Sequence, residues 1–89
     1  MIFVLSKRND LFENVSQWFN DTTKITMQEG LRWPTVCFAH DGTTSLSYEC
    51  TKEEYERFKS KYNLIIDHIV DGIIFLKGDY IYEKDEERN

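Results

Sequence analysis

Residues 35–48 read as a β-hairpin, and side-chain parity fixes how it closes. Val36 and Phe38 precede the turn segment His40-Asp41-Gly42, and Leu46 and Tyr48 follow it, apolar at alternate positions on each arm. In an antiparallel pair a slip of one residue sends every side chain to the other face. A three-residue loop, with Gly42 in the left-handed position of a bulge, sets Val36 opposite Leu46 and Phe38 opposite Thr44, so all the apolar residues share one face. A two-residue Asp41-Gly42 loop is the commoner choice for that dipeptide, but it places Val36 and Phe38 opposite serines. The three-residue loop is the expected one.

A sheet with one apolar face needs a second layer, and the best candidate for it lies directly downstream. Tyr55, Phe58, Tyr62, Ile65 and Ile69 recur at helical intervals. Thr51 with Glu54 three positions on forms a capping box, Glu53 adds negative charge to the first turn, and Gly72 sits where a helix C′ glycine belongs. The pattern predicts a helix of about 20 residues, a rod of about 30 Å. Its outer face, Lys52, Glu53, Glu56, Arg57, Lys59 and Lys61, reads as solvated.

Upstream, Ile2 to Leu5 suit a short buried strand. Asn9 and Asp10 are good N-caps for a first helix over 10–20, with Leu11, Phe12, Val15, Trp18 and Phe19 at helical spacing. Residues 24–29 alternate polar and apolar like a half-buried strand, stopped by Gly30. Leu31-Arg32-Trp33-Pro34 reads as a connection. At the other end, Ile73 to Tyr82 is divided by Lys77-Gly78-Asp79 and reads as a second hairpin. A Lys77-Gly78 turn would set Phe75 opposite Tyr80 and Ile73 opposite Tyr82, making one aromatic face.

The expected fold is α+β and two-layered, a mostly antiparallel sheet with two helices on one face. The element order is β-α-β-β-β-α-β-β, which becomes the ferredoxin-like order when one middle strand and the last strand are set aside. With 89 residues, 40% of them hydrophobic, the chain supports a single core. It divides into one domain over 1–83 and a charged tail over 84–89.

Charge and composition exclude more than they identify. A net charge of −5 repels a phosphate backbone, and no Lys/Arg-Gly-aromatic motif of an RNA-binding sheet is present. The apolar N-terminal run is too short for a signal peptide and no segment reaches membrane-spanning length. Two cysteines make no disulfide framework, so reducing cytoplasm is the expected compartment. Metal binding is not expected: Cys37 and His40 are the one close pair of soft ligands, and strand parity points them to opposite faces. Asp67-His68-Asp71, placed on consecutive helical turns, resembles acid–base equipment, but a histidine on the flank of a helix near its C-terminus is more often a solvated or dipole-favoured residue, and that is the expected role. The isolated glycines match no phosphate-binding loop. Neither catalytic residues nor a cofactor are assigned.

Surfaces are left. Phe75, Tyr80, Tyr82 and Trp33, with Asp79, Glu83 and Arg32, exceed what one small core requires and are the candidate contacts for another protein. The expected function is a non-catalytic, acidic protein-binding module acting as a regulator or inhibitor, with a homodimer as one form of partnership. The alternatives are a nucleic-acid mimic, a nucleic-acid binder on an open sheet, and a small oligomeric enzyme.

Overall fold

A computed structural model describes residues 1–8 and 15–84. The elements are β1 (Ile2–Arg8), α1 (Val15–Gln28), β2 (Thr35–Phe38), β3 (Thr43–Glu49), α2 (Lys52–Lys61), β4 (Ile66–Val70) and β5 (Ile73–Lys77), closed by a 3₁₀ turn over Gly78–Tyr80. The five strands form one sheet in the order β2-β3-β1-β5-β4. Every neighbouring pair is antiparallel except β1 with β5. The α+β class and the mostly antiparallel sheet agree with the sequence reading. Strands β2, β3, β1 and β4 also follow the ferredoxin-like order, with β5 inserted between β1 and β4.

The first hairpin closes as parity requires: Val36 pairs with Leu46 and Phe38 with Thr44, and Gly42 has φ 91°. Phe3, Leu5, Leu46, Tyr48 and Leu76 share the face on which both helices pack, and all are buried. Phe3 is the centre of this core. Its ring stacks on Tyr48 at 5.0 Å and meets Tyr55 and Phe58 of α2 at 5.5 and 5.8 Å. Buried aromatic pairs in this separation range add about 0.5–1.5 kcal/mol each beyond their area.

Of residues 24–29, read above as a strand, 24–28 are the last residues of α1 and Glu29 begins the turn that follows it, so the middle of the chain holds two strands and not three. The alternation was real but had a different cause. Thr22, Thr23 and Thr26 form the buried stripe of the helix, and the hydroxyls of Thr23 and Thr26 are paired locally. Thr23 Oγ1 donates to the Phe19 carbonyl at 2.8 Å, and Thr26 Oγ1 to that of Thr23 at 3.2 Å. Threonines satisfied in this way cost a helix little and let it lie close on the sheet. The helix ends in a Schellman motif, Leu31 N–H to the Thr26 carbonyl and Gly30 N–H to that of Met27, with Leu31 buried beyond it. The expected end of this helix at residue 20 is thereby corrected. The caps Asn9 and Asp10, with Leu11 and Phe12, lie outside the described residues.

The second helix begins as expected, with both halves of the Thr51–Glu54 capping box formed. It stops at Lys61, eleven residues before Gly72, the expected C-terminal glycine. Tyr62 is extended and bridges to Glu83, and Ile66–Val70 form a strand. The apolar positions of Ile65 and Ile69 fit a helix by spacing, but Ile65-Ile66 and Ile69-Val70 are β-branched pairs that favour a strand. Asp71 (φ 52°) and Gly72 (φ 79°) both adopt positive φ, the backbone of the two-residue hairpin turn for which Asp-Gly is suited. Gly72 thus closes a β4–β5 hairpin instead of a helix.

Candidate functional site

The Ile73–Tyr82 hairpin and its aromatic face do not form. After β5 the chain turns into the 3₁₀ segment because Gly78 passes directly beneath Trp18. A Cβ there would lie 2.9 Å from the indole and 3.1 Å from the backbone of Ser6. Trp18 Nε1 donates to the Gly78 carbonyl at 3.3 Å. Phe75 consequently faces His68, not Tyr80, with the two rings stacked at 4.4 Å and 7°. It lies half-buried on the face of the sheet opposite the helices.

The remaining predicted contacts are dispersed. Tyr80 and Asp79 border a polar cleft at the ends of β1 and β5 with Arg8, Asp67 and Lys77. Tyr82 is exposed beyond the 3₁₀ turn, and Glu83 bridges to Tyr62, 4.0 Å from Lys61. Arg32 is held by Glu54 through paired contacts of 3.2 and 3.3 Å, so its guanidinium joins the capping box of α2. The backbone N–H of Thr51, with Arg32 beside it, lowers the Glu54 carboxyl below its ordinary 4.5. Asp85, Glu86 and Glu87 lie outside the described residues.

The residues considered for chemistry also separate. His68 and Asp67 are on a strand, with Nδ1 3.0 Å from Oδ2, and Asp71 is in the turn, so the three do not form a helical cluster. Cys37 is exposed and Cys50 buried, both as free thiols. Burial raises the Cys50 thiol. Among the described residues no three of His, Cys, Asp and Glu gather as a metal site. No helix among them is long and apolar enough to cross a membrane.

Of the predicted contacts, Trp33 lies beside an apolar groove. It is 64% exposed and packs edge-on against Phe19 at 5.8 Å. Phe19 in turn lines a groove of about 330 Å³ between α1 and the edge strand β2, together with Val15, Ser16, Val36, Phe38 and Thr44. Phe38 is 73% exposed. None of these lining residues is charged, in a chain with 30% charged residues.

The backbone of β2 completes the surface. Ala39 N–H bonds to the Thr43 carbonyl at 2.8 Å, which makes Ala39 and Thr43 a hydrogen-bonded pair. Alternation along an antiparallel ladder turns Cys37 and Thr35 toward β3 and leaves the N–H and C=O of Val36 and Phe38 pointing outward. The other sheet edge is guarded. Strand β4 carries a register shift between Ile66 and His68, with Asp67 at the irregularity, and bulges and charges are the usual means of blocking edge pairing. Strand β2, Thr-Val-Cys-Phe, has neither.

Sequence reasoning placed Val36 and Phe38 on one face with Leu46 and Tyr48 but did not name them as contacts. The available signal was the absence of charge in Thr35-Val36-Cys37-Phe38. No family model matches the chain, and no curated protein or solved structure is significantly similar to it.

Proposed function

We propose that this chain is a non-catalytic protein-binding module, of the kind that serves as a regulator or inhibitor, and that it binds by adding a polypeptide strand to the open edge of β2. One observation carries this reading: outward-facing backbone groups of Val36 and Phe38 run alongside a groove whose described lining, Phe19, Val36 and Phe38 among it, carries no charge. In strand addition the main-chain bonds supply affinity and pockets for alternate side chains supply specificity. Trp33 and Phe38 are the aromatic anchors, a residue type enriched at the energetic centres of interfaces. The site thus moves from the acidic C-terminal region to the opposite edge of the sheet.

Selection of displayed random peptides on the immobilised chain tests the reading. Val36→Pro serves as the reference, because it removes an outward N–H without breaking the β2–β3 ladder. Enriched peptides should alternate apolar residues and lose binding to Val36→Pro and to Phe38→Asp. Equal recovery on wild type and Val36→Pro would refute strand addition.

A further inference from the structure

Resting on that reading, we infer that the strand added at β2 is β2 of a second copy, joined about a two-fold axis through Cys37. The geometry of the edge is self-complementary. With Cys37 opposite its own counterpart, Val36 lies opposite Phe38 of the second copy and Phe38 opposite Val36. These are the residues whose N–H and C=O groups point outward, so each pair exchanges backbone hydrogen bonds on either side of the axis. Val36 and Phe38 also share a face, so parity is satisfied: each exposed Phe38 ring covers the other copy's Val36 beside its groove. Both edges become interior strands of one continuous sheet, and the unpaired edge disappears from both copies.

Electrostatics permit the same occupant at this place and disfavour it at the other edge. Two chains of net charge −5 repel each other over most of their surfaces, so close approach requires a patch free of carboxylates. Among the described residues, β2 and the groove lining satisfy this, having no charged side chain. The β4 edge does not. A two-fold there centred on Ile69, the register that matches faces, brings Asp67 of each copy toward Asp71 of the other.

The axis leaves a chemical signature. Cys37 and its counterpart form a non-hydrogen-bonded pair, the closer kind, with Cα atoms about 4.5 Å apart. This lies within the disulfide range of about 4.4–6.8 Å. The thiol is exposed on the sheet face away from the helices, so an oxidant reaches it. A disulfide-forming oxidant such as diamide accepts the two electrons and two protons released as the thiols join, and is itself reduced to the hydrazine. The dimer does not need this bond, which reports the register.

A four-residue strand with its groove is a small contact, and interfaces below about 1,200 Å² in total are weak and transient. Sedimentation equilibrium of the reduced full chain should therefore show a reversible monomer–dimer equilibrium. Phe38→Asp should abolish it, and so should Val36→Pro with its helical circular dichroism unchanged. Under diamide, wild type and Cys50→Ser should form a covalent dimer, whereas Cys37→Ser should not, nor Cys37-containing Phe38→Asp at the same concentration. A wild-type chain monomeric at every concentration, with diamide cross-linking no faster than in Phe38→Asp, overturns the inference. In that event, peptide selection that still depends on Val36 leaves the binding-module reading standing. Loss of both refutes both.

Discussion

Thr26 Oγ1 of α1 lies 3.1 Å from Tyr48 Oη of β3, a hydrogen bond between two fully buried hydroxyls that ties the helix to the sheet. The two partners are unequal. Thr26 also donates to the Thr23 carbonyl, whereas Tyr48 has Thr26 as its partner among the described residues. Tyr48→Phe should therefore cost about 0.5–1.5 kcal/mol, the worth of an ordinary hydrogen bond. Thr26→Val strands a buried hydroxyl and should cost about 1–3 kcal/mol. Urea unfolding of the two variants should rank them in that order.

Burial pushes the Tyr48 hydroxyl up to about 12, against the opposing pull of its bond to Thr26. The unfolded chain ionises near 10, so stability from this residue is intact below pH 10 and falls as pH rises toward 12. The wild type should lose stability more steeply than Tyr48→Phe over that interval. Tyr55 and Tyr62 are also raised by burial, so the variant should retain part of the slope.

Acid should loosen α2 through a different group. Glu54 is held below 4.5 by the Thr51 N–H and by Arg32, and Glu29 by its 2.9 Å contact with Lys61. Both carboxyls have lowered values in the fold. Their contribution is present above pH 4.5 and disappears as pH falls through the folded-state values. Glu54→Gln keeps an acceptor for Thr51 but cannot titrate, so its stability should vary less with pH below 4.5. Thr51→Ala removes the reciprocal half of the box and should cost about 1 kcal/mol at neutral pH.

Two glycines should respond to alanine for different reasons. At Gly72 there is open space around the added methyl, and the penalty is confined to its positive φ, about 1 kcal/mol. At Gly78 the methyl meets the Trp18 indole and the Ser6 backbone, and overpacking there should cost about 1–3 kcal/mol. Trp18 fluorescence should shift with Gly78→Ala and stay unchanged with Gly72→Ala.

The parts of this fold legible in the sequence are those set by local chemistry. The register around His40-Asp41-Gly42 follows from parity, and the start of α2 follows from Thr51 and Glu54. Periodicity failed where two structures share a spacing: Ile65 and Ile69 are four apart, yet β-branching and the Asp71-Gly72 turn made the segment a hairpin. It failed also for the buried face of α1, Thr22, Thr23 and Thr26, polar residues of which Thr23 and Thr26 bond the helix's own carbonyls and Thr26 also Tyr48. The candidate site was least legible, since exposure of Val36 and Phe38 depends on β2 being an edge strand. Strand order is set by the long-range pairing of β1 with β3 and β5, which no local pattern encodes.

The central claim, that the edge of β2 is the binding surface and is occupied by a second copy, is tested most directly by amide hydrogen exchange followed against protein concentration. The Cys37 N–H faces β3 and should exchange slowly in dilute and concentrated solution alike. The Val36 and Phe38 N–H groups should exchange freely when dilute and slow at least tenfold as the dimer forms. Exchange at Val36 and Phe38 that is unaffected by concentration, or slow already in the dilute monomer, would contradict it.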